Sequence, residues 1–427
     1  MVSRAISGHA GERVREFYDQ HPYPPPVESL EPYQQRWQDL RRRRADFHLF
    51  WPNRSYREDH SILIAGCGTS QAAKHALRWP QAQITAIDCS TTSVRHTGRL
   101  KQQHNLRNLQ VHQLAIERAG ELGMSFDQIV CTGVLHHLED PDAGLRALSD
   151  VLKPEGAMQL MVYAPYGRTG IYMLQEFSRR IGVCANDRGI RDLIRALELL
   201  PTGHPLQSLL TQAPELRDEA GVADALLHPQ DRAYSVPQLF ELIEKAGLAF
   251  GRWLRQAPYS IHCGVMARIP QAEAIARLPL REQYSAIELF RGTMIRHSAV
   301  VYRNDCPDGV ESLVVSGDGW LNYVPIRLSD TLCVQDQVPP GNAFVLINRT
   351  HTNNDLFLVI DATEKKLLDA IDGQQTIRDI VESTLPSEGR EAYFAVASNF
   401  FEQLWWHDQV VFDTSRHGKL RGRLRRV

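Results

Sequence analysis

The hydrophobic period of the chain changes at residue 61. Ile62-Leu63-Ile64 forms a short apolar run that leads into Gly66 and Gly68, an amphipathic stretch over Gln71–Trp79, and a second run, Ile84-Thr85-Ala86-Ile87, closing on Asp88. A short apolar run, a glycine turn, helical spacing and another apolar run read as a βαβ unit. Further strands are predicted at Leu109–Gln113, Phe126–Cys131 and Ala157–Tyr163, with helical spacing over Val94–His104 and Ala143–Leu152. Such alternation implies a doubly wound α/β core with a mostly parallel sheet covered on both faces.

On either side of this core the pattern differs. The N-terminal stretch reads as a helix, then the proline cluster His21-Pro22-Tyr23-Pro24-Pro25-Pro26, which cannot be helix interior, then a polar helix from about Glu31 containing Arg41–Arg44. Beyond Tyr163 the spacing is helical over Ile171–Ile181, Arg188–Leu200, Leu206–Gln212 and Val236–Ala246, until Leu248–Leu254 offers another strand. After about Pro270 come a helix (Leu280–Thr293), β-like stretches at Ser298–Tyr302, Ser312–Val315, Val324–Leu328, Ala343–Ile347 and Leu356–Ile360, and two or three helices around the turn Asp372-Gly373. We therefore expect an N-terminal helical lid over 1–60, a core domain over 61–268 with a helical insertion at about 171–246, and a smaller α+β domain over 270–427. The end of that domain resembles a small helix-turn-helix with a wing.

Composition excludes several classes. The 427 residues are 43% hydrophobic and 23% charged, ordinary stock for two or three globular domains. Forty-eight Lys and Arg against fifty Asp and Glu leave a formal charge of −2, so no global field points to nucleic acid or an anionic membrane. No apolar run is long enough to span a bilayer and the first residues lack the apolar core of a signal peptide, so a soluble cytoplasmic protein is expected. The seven cysteines include no CxxC pair, which supports neither a disulfide framework nor a zinc cage.

Candidate chemistry gathers after the first strand. Gly66 and Gly68 permit a tight turn and close ligand approach, and Asp88 ends the next strand about 20 residues on, where a carboxylate can accept both hydroxyls of a ribose. Gln71 stands where a dinucleotide fingerprint has its third glycine, which argues against a pyrophosphate and against a nicotinamide oxidoreductase. An adenosine-type ligand across the switch point of the sheet is predicted, the alternative being a glycine turn with a helix-capping aspartate.

The segment Phe126-Asp127-Gln128-Ile129-Val130-Cys131-Thr132-Gly133-Val134-Leu135-His136-His137-Leu138-Glu139-Asp140-Pro141 adds an apolar strand, a polar loop and an Asp-Pro helix entry. With the glycine loop, Asp88 and Leu152-Lys153-Pro154-Glu155-Gly156, residues 55–165 resemble the class I S-adenosylmethionine-dependent methyltransferases. The resemblance implies a seven-stranded Rossmann-like fold and S-adenosylmethionine as cofactor. It places the methionine part in the loop from Ala65 to Thr69, the ribose on Asp88, and the methyl beside Cys131 to Val134. Ala65, Gly66, Gly68, Cys89, Ile116, Thr132 and Gly133 are thereby implied as cofactor contacts. Ser70 in place of a third small glycine and Ile64 in place of the family's usual acid are departures.

Other positions are weighed beside that resemblance. Adjacent histidines point in different directions, so at most one of His136 and His137 faces the cofactor. His136 stands as a catalytic candidate, although in the resembling family such a pair usually supports the loop. No metal is expected, because no further His, Cys or acidic cluster with ligand spacing lies nearby. Phe17–Pro24 suits a lid that covers the ligand, with Tyr18 and Tyr23 touching the cofactor, or else a clasp on the outer helices. Tyr163, Tyr166 and Arg168 follow the fifth strand, where phenols and an arginine could orient or deprotonate an acceptor; Arg168 could instead be an ion-pair partner. Pro339–Arg349 and Leu367–Gly373 offer no nucleophile–base pair, which leaves binding or homodimer formation to the C-terminal domain. Lys419–Arg426 could grip an acidic partner or form a solvated tail. The layout looks like bacterial methyltransferases with regulatory domains, a group that includes protein-lysine methyltransferases. Methyl transfer to an amine of a protein or peptide is expected, the alternatives being a small-molecule acceptor and a non-enzymatic cofactor-binding scaffold.

Overall fold

The structure is a computed structural model that describes residues 7–306, 318–335, 344–386 and 390–416. The strand expected at Ser312–Val315, the first part of Pro339–Arg349 and the segment Lys419–Arg426 lie outside the described residues. The chain divides into two compact units, one drawn from 1–36, 58–252 and 288–310, the other from 37–57, 253–287 and 311–427.

Three helices precede the first strand: α1 (Ser7–Gln20), α2 (Glu31–Trp37) and α3 (Leu40–Phe50). The single polar helix expected from Glu31 is thus two, because Asp39 caps α3 by accepting from the Arg41 N–H at 2.9 Å. The strands of the first unit are β1 (Ser61–Ala65), β2 (Gln83–Asp88), β3 (Leu109–Gln113), β4 (Phe126–Thr132), β5 (Leu152–Tyr163), β6 (Leu248–Trp253) and β7 (Arg296–Arg303), in the spatial order β3-β2-β1-β4-β5-β7-β6. β1 pairs in parallel with β2 and β4, and Ile62 through Ala65 are fully buried, which explains an apolar run without alternation.

The helices between these strands begin on sequence-local signals. Past α4 (Gln71–Arg78), the Ser90 hydroxyl accepts from Ser93 N–H at the start of α5 (Thr91–Gln103), and Asp140 caps α6 (Pro141–Asp150) ahead of Pro141. The insertion contains α7 (Thr169–Arg180), α8 (Asp187–Glu198), α9 (Leu206–Gln212) and α10 (Glu219–Leu227), and α11 (Val236–Lys245) leads to β6. α7 to α10 share a core of their own with Ile171, Leu193, Leu206 and Val222, and Phe17 of α1 packs into it.

The seventh strand departs from the sequence expectation. Ser298–Tyr302 was expected within a 270–427 domain, but β7 pairs antiparallel with β5, Leu160 opposite Ala299, and residues 288–310 belong to the first unit. Val300 and Val301 are fully buried there. A strand reached by a long connection has no local signal for its partner; only burial between β5 and β6 decides it.

The second unit has α12 (Ala272–Ala276), part of α13 (Leu280–Arg291), an antiparallel pair of β8 (Val324–Arg327) with β12 (Val410–Asp413), and a three-stranded sheet of β9 (Thr331–Val334), β10 (Phe344–Asn348) and β11 (Phe357–Ile360). The helices α14 (Ala362–Asp369), α15 (Ile377–Thr384) and α16 (Arg390–Trp406) close its core around Leu367, Ile380, Phe400 and Phe401. α3, expected in a 1–60 lid, falls in this unit: Arg44 and His48 pair with Asp413 at 3.6 and 3.4 Å.

Candidate functional site

Past β1 the backbone turns at Gly66 with φ +74°, and a Cβ there would stand 2.3 Å from Val134 Cγ2. Only glycine fits both the torsion and the space. Gly68, at φ +53°, donates its N–H to Asp88 Oδ2 at 2.8 Å, and Ser90 N–H donates to Oδ1 at 2.9 Å. These bonds hold the carboxylate at the end of β2, and each oxygen keeps a lone pair for a ligand hydroxyl. Burial raises the Asp88 carboxyl above its usual range, opposed by the two N–H donors.

The turn opens on a cavity of about 1060 Å³, at the carboxyl ends of strands where the sheet order reverses. Gly66, Gly68, Asp88 and Cys89 line it past β1 and β2, Ile116 past β3, and Thr132 and Gly133 at the end of β4. Thr132 Oγ1 accepts from Gln71 Nε2 at 2.7 Å, and Gly133 N–H donates to Met161 O at 3.2 Å. Burial pushes the Cys89 thiol up to about 12, so it is a neutral contact. Ala65 is fully buried at the end of β1 and does not line the cavity.

The aromatic lead divides between the two roles weighed for it. Tyr18 and Tyr23 line the cavity, whereas Phe17 belongs to the insertion core. Asp19 Oδ1 accepts from Ser90 Oγ at 2.8 Å and Thr92 N–H at 3.0 Å, and Thr69 Oγ1 donates to Pro24 O at 2.8 Å. The lead is therefore anchored to the loops after β1 and β2.

Past β5, Tyr163 and Arg168 line the cavity, while Tyr166 is 40% exposed and does not. His136 is wholly buried with its ring 3.9 Å from that of Tyr163, and it is His137 that lines the cavity. The Arg168 guanidinium lies 3.4 Å from the Tyr163 ring centroid and 3.4 Å from Asp231 Oδ2, so it makes an ion pair and a cation–π contact together.

Sequence reasoning missed the carboxylate at the centre of this side. Asp224, 4% exposed on α10, accepts from Tyr18 at 2.9 Å through Oδ1 and from Tyr163 at 3.4 Å through Oδ2. Burial raises its carboxyl above the usual aspartate range. Burial first, and then the charge of Asp224, push both phenols well above their usual range, so they stay protonated and donate. Residues Gly221–Leu226 are all buried, and a helix covered on every side has no polar stripe to announce it.

The histidine pair also gains an unexpected neighbour. One donor atom from each of His136, His137 and Asp231 lies within 4.8 Å of the others, which overturns the expectation that no third metal-ligand type stands nearby.

Residues 63–158 match the family described as a methyltransferase domain. That stretch is a methyltransferase domain, with S-adenosylmethionine as its cofactor. Its strand order and its glycine turn facing Asp88 suit that cofactor. Over the wider chain, an uncharacterized protein of Synechococcus sp. is 33% identical across 261 residues, covering 58% of this chain and 60% of that one. A ubiquinone biosynthesis O-methyltransferase of Xanthomonas axonopodis is 36% identical across 103 residues, 23% of this chain and 41% of that enzyme. The alignments thus span less than two thirds of either relative. In fold, the chain is similar to PKMT2 from Rickettsia typhi, with TM-score 0.65 and 16% identity over 91% of this chain and 76% of that one. A second structure of PKMT2, in complex with AdoHcy, gives a TM-score of 0.63 with 88% and 75% covered. No helix among the described residues is long and apolar enough to cross a membrane.

Proposed function

We propose that the protein transfers a methyl group from S-adenosylmethionine to an amine nitrogen of a protein or peptide. The observation that carries this reading is the buried carboxylate of Asp224, set in the cavity wall between the phenols of Tyr18 and Tyr163. A carboxylate among aromatic faces suits an alkylammonium: the charge attracts it, the rings pack on its methylenes, and a dry wall favours loss of its proton. PKMT2, similar in fold, has been solved with AdoHcy, the form S-adenosylmethionine takes on losing its methyl.

S-adenosylmethionine supplies an electrophilic methyl on a sulfonium. The protein's part is alignment and exclusion of water. Asp88 and the glycine turn hold the nucleoside end, and Tyr18 and Tyr23 cover the cavity. Asp224 holds the amine and accepts its proton, so that the nitrogen lone pair forms the N–CH₃ bond as the S–CH₃ bond breaks. Tyr163 and Tyr18, kept protonated, steady that carboxylate, and Arg168 fixes the Tyr163 ring.

Incubation of a lysate with isotopically labelled S-adenosylmethionine tests the reading. Label on protein amines is expected; label on metabolites with none on protein would overturn the acceptor assignment. A small molecule methylated on oxygen is the second reading, favoured by the O-methyltransferase relatives that match 23% of this chain. It predicts label on a metabolite oxygen.

A further inference from the structure

We propose that His136, His137 and Asp231 form a binding site for a divalent first-row transition-metal ion, built at the junction of the loop after β4 and the segment after α10. The donors are two imidazoles and a carboxylate with no thiolate, a set that suits zinc, cobalt, nickel or ferrous iron and leaves at least one coordination position open.

Unsatisfied polar atoms point to the ion. His136 is 0% exposed and neither ring nitrogen has a hydrogen-bond partner. Asp231 Oδ1 is likewise buried without a partner. Leaving such groups unpaired costs about 1–3 kcal/mol each, and a shared cation would satisfy both together.

The surrounding bonds have the form that orients metal ligands. His137 Nδ1 lies 2.8 Å from Gln230 O, and a carbonyl can only accept, so Nδ1 carries a proton and Nε2 is the nitrogen left to ligate. Asp231 Oδ2 accepts from Gln175 Nε2 at 2.9 Å and from Arg168 Nη2 at 3.4 Å, leaving Oδ1 as the ligating oxygen. The two segments are joined independently of any ion, by Arg232 N–H to His136 O at 3.1 Å and by Gln230 Nε2 to Leu138 O. The separation of up to 4.8 Å between donor atoms needs modest side-chain rotation to reach the edge of about 3.3 Å that zinc–nitrogen bonds near 2.0–2.1 Å imply. Arg168 limits the affinity, since its positive charge shares the same carboxylate.

Full-length protein stripped with a chelator and titrated with Co²⁺ tests this. The expected result is about one equivalent bound per chain, with a ligand-field absorption spectrum that Zn²⁺ abolishes by displacement. X-ray absorption of the zinc form should show only nitrogen and oxygen neighbours. His136→Gln and Asp231→Asn should each weaken binding by about 100-fold or more, while His351→Gln, at a buried histidine paired with Asp408 in the second unit, should leave it unchanged. Absence of binding by the unaltered chain, sulfur in the coordination shell, or full binding in both site variants would each overturn the proposal. If either variant fails to fold, the spectra of the unaltered chain decide.

Discussion

Tyr18 donates its hydroxyl hydrogen to Asp224 Oδ1 at 2.9 Å, joining positions 206 residues apart. The bond fastens α1 to the helical insertion at the cavity wall. Because Tyr163 approaches the other oxygen of the same carboxylate, α1, the insertion and the sheet meet at Asp224.

Replacing that carboxylate separates function from stability. Asp224→Asn should lower turnover by about 100-fold or more, the range for loss of a positioned proton acceptor. The same change should raise the melting temperature at pH 7. The folded carboxyl is raised above its ordinary value of 3.8, so between the two values the folded state binds more protons and stability falls as pH rises. At neutral pH the aspartate therefore costs stability that asparagine recovers. Calorimetric melting beside a methyl-transfer assay checks both; a lower melting temperature would contradict the burial argument.

The pH–rate profile should carry an acidic limb that rises through the elevated Asp224 ionisation, since only the ionised form holds and deprotonates an amine. That limb should sit above the ordinary aspartate range and vanish in Asp224→Asn. Profiles of kcat/KM measured for both proteins decide the matter.

Asp88→Ala should weaken S-adenosylmethionine binding by about 1.5–3 kcal/mol, or about 10- to 150-fold in Kd. Part of that loss reflects Gly68 and Ser90 losing the acceptor for their N–H groups. Unchanged affinity by titration calorimetry would remove the ribose assignment.

Gly66→Ala should destabilise the protein by about 2–4 kcal/mol, from left-handed backbone strain and overpacking against Val134. Denaturant unfolding measures it. Gly123→Ala shares the left-handed torsion but has nothing within 4 Å, and should cost only the strain.

Tyr166→Phe should leave turnover within about twofold, because an exposed hydroxyl outside the cavity loses little. Tyr163→Phe should lower it, since its hydroxyl is a donor to Asp224. Equal effects would show that exposure is a poor guide here.

The sequence by itself determined the elements whose causes are local. Continuous apolar runs in β1 and β2, glycines at the turn, Asp88 at a strand end and Pro141 behind Asp140 each carry their reason within a few residues, and Gly66, Gly68 and Asp88 among them line the cavity. Tertiary structure alone decided what depends on distant partners. β7 reads as any short strand until it lies between β5 and β6, and Arg44 and His48 read as a polar helix until Asp413 stands beside them. Asp224 and Asp231 look like ordinary acids within and after a featureless apolar stretch. Their roles come from burial against Tyr18, Tyr163, Arg168 and the histidine pair, because a carboxylate acquires an altered affinity for protons or ions only from what the fold excludes or places around it.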